Sequence, residues 1–215
     1  GVLAALDLAG ATRADLIRAP LIRVDGERST KMNSIKGWGE LRTRLAKVKS
    51  IVRFHSTTPT ALYSREFLIS NDLQWPVDLH MAEDAVFLYR ALALGKPEYS
   101  EEPIYVYDAT PSPGQTSITQ RYGDEEMENH IRAWSESQAI LQRMHIDFFD
   151  IRGQAALQAV FESLIQNNRE GISRQVFRRF GDLLRSHSSV ARYDYSPRYA
   201  ELRDFILKDL SLIHI

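Results

Sequence analysis

Cysteine is absent from this chain of 215 residues. That absence removes disulfides, thiolate nucleophiles and cysteine-ligated zinc from consideration, and it is compatible with a reducing compartment. Charge of one sign is lacking too. The 27 basic and 28 acidic residues leave a formal net charge of −1, so no bulk field points to nucleic acid or to an anionic membrane. No apolar run approaches the roughly 20 residues that a membrane-spanning helix needs, and the first residues show no signal-peptide pattern. The histidines at 55, 80, 130, 145, 187 and 214 include no pair spaced four apart, as a helical zinc site requires. A Gly-Lys-Ser/Thr phosphate loop and a Gly-x-Ser-x-Gly elbow are both missing. Gly37-Trp38-Gly39 lacks the third glycine and the preceding strand of a dinucleotide site.

What is present is a globular balance, with 44% apolar and 26% charged residues, enough to build a sizeable core. Val2, Leu3, Leu6 and Ala9 predict a helix over 2–12, and 14–24 reads as a strand with an irregularity at Pro20, ended by the turn pair Asp25-Gly26. Residues 27–40 have little periodicity and read mostly as loop. Leu41, Leu45 and Val48 predict a short basic helix over 41–53 with a solvated charged face. Residues 58–63 look extended, and Ser64 is placed to cap a helix opening at Arg65. Trp75-Pro76 breaks the chain. Residues 82–94 then form the most apolar helix in the sequence, with only Glu83, Asp84 and Arg90 charged, which predicts burial on nearly every side and an end at Gly95. A short strand is expected over 102–107 and a polar loop over 110–119. From about 123 the pattern becomes helical, with stripes around Trp134 and Leu141, over 151–166, over 171–187, and around Leu202, Phe205 and Ile206. The expected division is 1–121, an α/β domain, followed by a helical region over 122–209.

The pair that can carry chemistry is Glu83-Asp84, at the first turn of the apolar helix. Acidic residues there complement the helix dipole and cap free N–H groups. A carboxylate anchored on a buried helix after a polar loop is also well placed to act as a general base. Both readings stand on position alone. His80 lies just upstream, either as a local hydrogen-bonding residue or as a site member. Trp75 can pack, or can stack on a sugar ring. Arg65 can form a surface ion pair or reach a phosphate. Ser117, Thr119 and Arg121 sit in a loop, where polar residues are solvated by default and functional more often than elsewhere.

Residues 58–119 resemble the second half of the catalytic domain of family 2 glycosyltransferases, which have the GT-A fold. The resemblance rests on ordered phrases: Ala61-Leu62-Tyr63-Ser64-Arg65-Glu66-Phe67-Leu68, then Trp75 through Leu88 with the Glu83-Asp84 pair, then Pro103-Ile104-Tyr105-Val106-Tyr107, and Ser117-Ile118-Thr119. Residues 1–24 resemble the helix and strand that follow the family's Asp-x-Asp. The resemblance implies a partial GT-A domain with a helical C-terminal region, and an inverting transferase moving a sugar from a nucleotide-sugar donor to a glycan or lipid-linked acceptor. It makes Asp84 the base and Glu83 an orienting residue. His80, Trp75, Arg65, Ser117, Thr119 and Arg121 become candidates for substrate contacts. It further implies a divalent cation, Mg or Mn, held by an Asp-x-Asp. No two aspartates here are separated by one residue, so the cation ligands and the nucleotide pocket are expected upstream of Gly1. A cytoplasmic enzyme of cell-envelope polysaccharide synthesis, peripherally associated with the inner face of the membrane, is the implied setting.

Two departures refine this picture. Asp108 follows Tyr107 where many relatives carry an arginine. Gln175-Val176-Phe177-Arg178-Arg179 resembles the Gln-x-x-Arg-Trp of processive synthases but has Arg179 in place of tryptophan, and with Val176 and Phe177 in an apolar stripe the segment reads as structural. A nonprocessive enzyme is therefore expected. The chain opens inside a helical pattern without a Met, and its last six residues, 210–215, resemble a translated transposase sequencing adapter, so a fragment of a longer gene is expected. The competing expectation is a scaffolding module whose helices over 123–208 dock a partner, with Glu83-Asp84 serving only as a cap.

Overall fold

Pro20 organises the first part of the chain. It has no N–H to give to a ladder, and here it divides what reads as one strand into two that belong to different sheets. The computed structural model describes residues 1–54, 60–110, 122–167 and 171–208. In it β1 (Leu16–Arg18) lies between β4 (Ala61–Tyr63), antiparallel, and β5 (Pro97–Tyr99), parallel. Just beyond Pro20, β2 (Leu21–Asp25) lies between β3 (Arg28–Met32), antiparallel, and β6 (Tyr105–Asp108), parallel. Leu16, Ile17 and Arg18 are all buried, whereas β3 and β6 are exposed along their whole length.

The expected loop over 27–40 is thus partly a strand. The polar sequence of β3 offers no alternation to read. Its order comes from the backbone ladder with β2 across a two-residue turn, Gly26-Glu27, in which Gly26 has φ 60. Loop resumes at Asn33 and closes on a short 3₁₀ turn at Trp38–Glu40. The helix expected from 41 begins later, as α2 (Arg44–Phe54), and buries Val48, Ile51 and Val52, while Leu45 is exposed. Arg44 leaves the solvated face expected for its charges and caps another helix. Its guanidinium donates to the carbonyls of Leu92 at 2.6 Å, Ala93 at 2.9 Å and Gly95 at 3.1 Å. These close the end of α4 (Glu83–Leu94), where carbonyls lack intrahelical partners.

α1 (Val2–Thr12) buries only Ala5, and the face expected to be apolar is turned outward, with Leu3 77% exposed. α3 (Arg65–Ser70) starts as predicted, with Ser64 Oγ accepting the Phe67 N–H at 3.3 Å. α4 buries Val86, Phe87, Leu88, Tyr89, Ala91 and Leu92, as its composition predicts. Gly95 follows it for reasons of space rather than of dihedral. A Cβ there would lie 2.8 Å from Phe67 Cζ and 3.1 Å from Asp15 Cβ.

Compactness groups 1–76 with 83–115, and 77–82 with 116–215. In the second unit, α5 (Asp124–Gln142) opens with the Glu126 carboxylate accepting the Gly123 N–H at 2.8 Å. It is followed by a π-type turn at Phe149–Gly153, α6 (Gln154–Asn167), α7 (Arg174–Arg185) and α8 (Pro197–Leu207). Trp134 centres the core, with ring centroids 5.7 Å from Phe180 and 6.2 Å from both Phe148 and Phe149. The helical stripe over 171–187 is realised as buried Val176, Phe180 and Leu184 on α7. This places the resemblance to the processive motif on a packing helix. Among the described residues, no helix is long and apolar enough to cross a membrane.

Two outcomes follow from this packing. Gly95→Ala overpacks the junction of α4, α3 and β1 and should lower the free energy of unfolding by about 1–3 kcal/mol, measured by urea denaturation. His130 packs edge-on to Trp134, with Nδ1 3.0 Å from the Glu126 carbonyl and 3.2 Å from the Tyr122 hydroxyl, and burial holds its pKa below the ordinary histidine value. In the window between that depressed value and the unfolded value near 6.5, the unfolded chain binds a proton that the native imidazole does not. Stability is therefore full above about pH 6.5 and falls as the pH drops through that window. Denaturation midpoints measured from pH 7.5 to 5 should fall, and His130→Gln should flatten the slope.

Candidate active site

Arg18 is the last residue of β1 and is 0% exposed. Its backbone is clasped from both sides. The Arg18 carbonyl accepts the Ser100 N–H at 2.8 Å, and the Ala19 N–H donates to the Thr60 carbonyl at 3.0 Å. Its Nη2 donates to Thr60 Oγ1 at 2.7 Å. Register places Arg18 opposite Ala61, and Leu16 opposite Tyr63, so the Arg18 and Tyr63 side chains emerge on one face of the sheet. The two groups lie close together without ideal hydrogen-bond geometry at the phenol oxygen.

The electrostatics follow from burial. Desolvation pulls the guanidinium below its ordinary pKa, and Tyr63, Asp84 and Tyr89 pull it back toward the charged form. For Tyr63 the largest effect is again burial, which pushes the phenol up. Arg18 opposes that push and Asp84 adds to it. Of the groups acting on Arg18, Asp84 is the carboxylate. An arginine keeps its proton in a protein, so the cost of burying it is met by its neighbours rather than by neutralisation.

Asp84 is the second residue of α4 and is half-buried. Its Oδ1 accepts the Ala85 N–H at 2.7 Å, one of the first-turn amides that have no partner within the helix. The same carboxylate therefore both caps α4 and faces the guanidinium's field. The helix begins one residue later than expected because Ala82 has φ 59. A side chain in the left-handed region is disfavoured, and such strain concentrates at functional sites. Glu83 is half-exposed beside Asp84.

The other expected site residues divide. Trp75 is 42% exposed and packs its ring 5.1 Å from Phe87, which in turn meets Tyr63 edge-on at 5.3 Å. An aromatic string thus joins the exposed indole to the Arg18 cluster, and Trp75 combines packing with an open face. Arg65 is exposed at the start of α3, away from any ion pair among the described residues. His80 belongs to the second unit. Its N–H donates to Asn129 Oδ1 at 2.9 Å, and its ring is exposed. Asp78, two residues earlier, pairs with Arg132. Ser117, Thr119 and Arg121 lie outside the described residues. Sequence reasoning missed Arg18, Thr60, Tyr63 and Tyr89 as site members. The readable signal was a lone arginine inside the apolar run Leu16-Ile17-Arg18-Ala19-Pro20-Leu21-Ile22, since arginine is almost never fully buried unless paired.

The described residues contain no group of three or more His, Asp or Glu able to hold a metal ion. They do not build the cation site that the family resemblance implies.

Solved structures of S. aureus TarS 1–349 are similar to this chain. The match to the complex with UDP-GlcNAc covers 98% of this chain and 60% of that one, at 17% identity and a TM-score of 0.54. The match to the complex with UDP covers 98% and 59%, at 18% identity and a TM-score of 0.50. The chain therefore spans about three fifths of the structures it matches. No family model matches it, and no curated protein matches it at a significant level. At these identities the likeness carries the fold alone: a mixed α/β arrangement with a helical C-terminal region, shared with the TarS structures.

The strain at Ala82 is testable by itself. Ala82→Gly removes a left-handed Cβ that costs roughly 1–2 kcal/mol and adds unfolded-state entropy worth about 0.4–1 kcal/mol. Thermal denaturation should show a net gain of between zero and about 1.6 kcal/mol.

Proposed function

We propose that this chain is the acceptor-side part of an inverting, nonprocessive family 2 glycosyltransferase that moves a sugar from a nucleotide-sugar donor to a glycan or lipid-linked acceptor, with Asp84 as the general base. The observation that carries this reading is the setting of the Asp84 carboxylate. It is fixed at the start of a buried helix, is partly exposed, and acts electrostatically on the buried cation of Arg18. A fold similar to a protein crystallised with UDP-GlcNAc supports it.

The chemistry needs little from the protein beyond position and charge. An unassisted hydroxyl is a poor nucleophile. Asp84 takes its proton as the oxygen attacks the anomeric carbon, the bond to the diphosphate breaks, and the nucleoside diphosphate departs with the electron pair, so the configuration inverts. The Ala85 N–H fixes one carboxylate oxygen throughout. Such a base contributes about 10²–10⁴-fold. Glu83 orients the acceptor, and the open face of Trp75 stacks on it. In this reading the nucleotide pocket and the Asp-x-Asp that binds Mg or Mn lie outside these 215 residues, and the enzyme works at the cytoplasmic face of the membrane in cell-envelope polysaccharide synthesis.

A scaffolding role has one specific observation in its favour, the capping bond from Ala85. The two readings part on a single substitution. In the full reading frame around this chain, assayed with a UDP-sugar and a glycan acceptor, Asp84→Asn should lower turnover by about 10²–10⁴-fold while donor affinity stays unchanged. Near-normal turnover would remove Asp84 from the mechanism and favour the cap.

A further inference from the structure

We infer that Asn129 and Arg132 of α5 are positioning residues for the Glu83-Asp84 pair: they hold the segment 77–82 by its main chain, and with it the point at which α4 begins. The inference deepens the reading of Asp84 as a base and rests on it for its catalytic meaning.

The chain leaves the first unit after Pro76 and returns to it at Glu83. The residues between, Val77–Ala82, group with the helical unit, and α4 opens directly after them. Side-chain packing accounts for little of that grouping. Val77 is 82% exposed, Asp78 and His80 are exposed, and of this segment only Leu79 is buried. The main chain is what α5 holds. The His80 N–H donates to Asn129 Oδ1 at 2.9 Å, and Arg132 Nη1 donates to the Asp78 carbonyl at 3.1 Å. Arg132 also pairs with the Asp78 carboxylate. Asn129 and Arg132 lie three residues apart, on one face of the helix. Asn129 is itself set in place. It is buried, and its Nδ2 donates to the Glu125 carbonyl at 2.8 Å, so the amide presents its oxygen to His80 and has a partner at both ends.

Little chain separates this anchor from the carboxylates. Met81 and Ala82 alone lie between His80 and Glu83. Ala82 has φ 59, a region in which a residue with a Cβ has little freedom. The connection is therefore stiff, and a shift of the His80 peptide passes on to the carboxylates instead of being absorbed. The first amides of a helix have no carbonyl of their own helix to hold them. In α4 one of them, Ala85 N–H, is bonded to Asp84 Oδ1 at 2.7 Å. The first turn takes its place from the chain that enters it. A segment that only covered a core would bury its side chains. This one has a buried amide and a guanidinium fixed on its backbone, as a supporting shell holds a site residue to its geometry.

The test reads the main chain and needs no turnover. Amide hydrogen exchange of the 215-residue chain is followed by NMR in the parent, Asn129→Ala and Arg132→Ala. Asn129→Ala should quicken exchange at both His80 and Ala85 by about tenfold, while Leu92, near the far end of α4, keeps its rate. An Ala85 amide that holds the parent rate while His80 quickens overturns the inference. A rise shared equally by Leu92 marks general loosening and overturns it too. Should Asn129→Ala fail to fold, Arg132→Ala, made at an exposed side chain, should quicken the same two amides, and an unmoved Ala85 there counts against the inference equally. In the full reading frame, Asn129→Ala should lower turnover by about 10–10²-fold with the KM for the UDP-sugar unchanged. A raised KM with turnover kept removes the positioning role. Exchange at Ala85 that quickens as expected, while Asp84→Asn retains full turnover, upholds the anchoring and overturns only the reading of Asp84 as a base.

Discussion

A guanidinium sealed inside a sheet has to be answered by its surroundings, and the first unit is arranged around that demand. Arg18 cannot shed its proton, and water does not reach it. The answer is assembled from Thr60 and Tyr63 around β4 and from Asp84 and Tyr89 on α4, while the backbone of Ser100 after β5 holds the Arg18 carbonyl. Each is far from Arg18 in sequence, so the cluster exists only when β1, β4, β5 and α4 have all come together. The charge is in that sense a condition on the tertiary structure rather than a local ornament.

The same cluster explains why α4 can be so apolar and still begin where it does. A helix buried on nearly all sides has few polar groups with which to satisfy its first amides, and a carboxylate in its first turn serves that need. Asp84 meets it through the Ala85 N–H, while Arg44, arriving from α2, closes the far end on three carbonyls. The two ends are thus satisfied by charged groups of the sign that the helix dipole favours. Capping and chemistry do not compete for Asp84, because a carboxylate has several acceptor sites and one amide occupies only one of them.

Much of this was legible in the residues. The 3.6-residue stripes found α6 and α7, and an almost wholly apolar composition found α4, because such patterns leave few alternatives. Ser64 announced α3 through a cap whose chemistry is local. The turn pair Asp25-Gly26 marked the end of β2, and Pro20 marked the break before it. The failures share a cause. β3 is mostly polar and fully exposed, with its order set chiefly by the ladder to β2, so its side chains show no alternation to read. β5 has only three residues, too few for a period to show. Leu45 looked like part of an apolar face and is exposed, while Ile51 and Val52 take its place. Arg18 was hidden because its role depends on the depth of a side chain and on partners forty to seventy positions away, neither of which a linear pattern encodes. Asp84 could be singled out as a carboxylate with two possible roles, and its cation could not.

The break at Pro20 has a mechanical result. In a continuous strand a slip of one residue turns every side chain to the opposite face. The outer sheet, with β3 and β6 lying fully in solvent, is where such a slip costs least. Because the proline gives no amide to either ladder, the phase of β2 is not handed on to β1. Movement of the exposed hairpin, or pairing of its free edge with another strand, can proceed without rotating the guanidinium out of its seat. The fold carries a firebreak two residues from its buried charge.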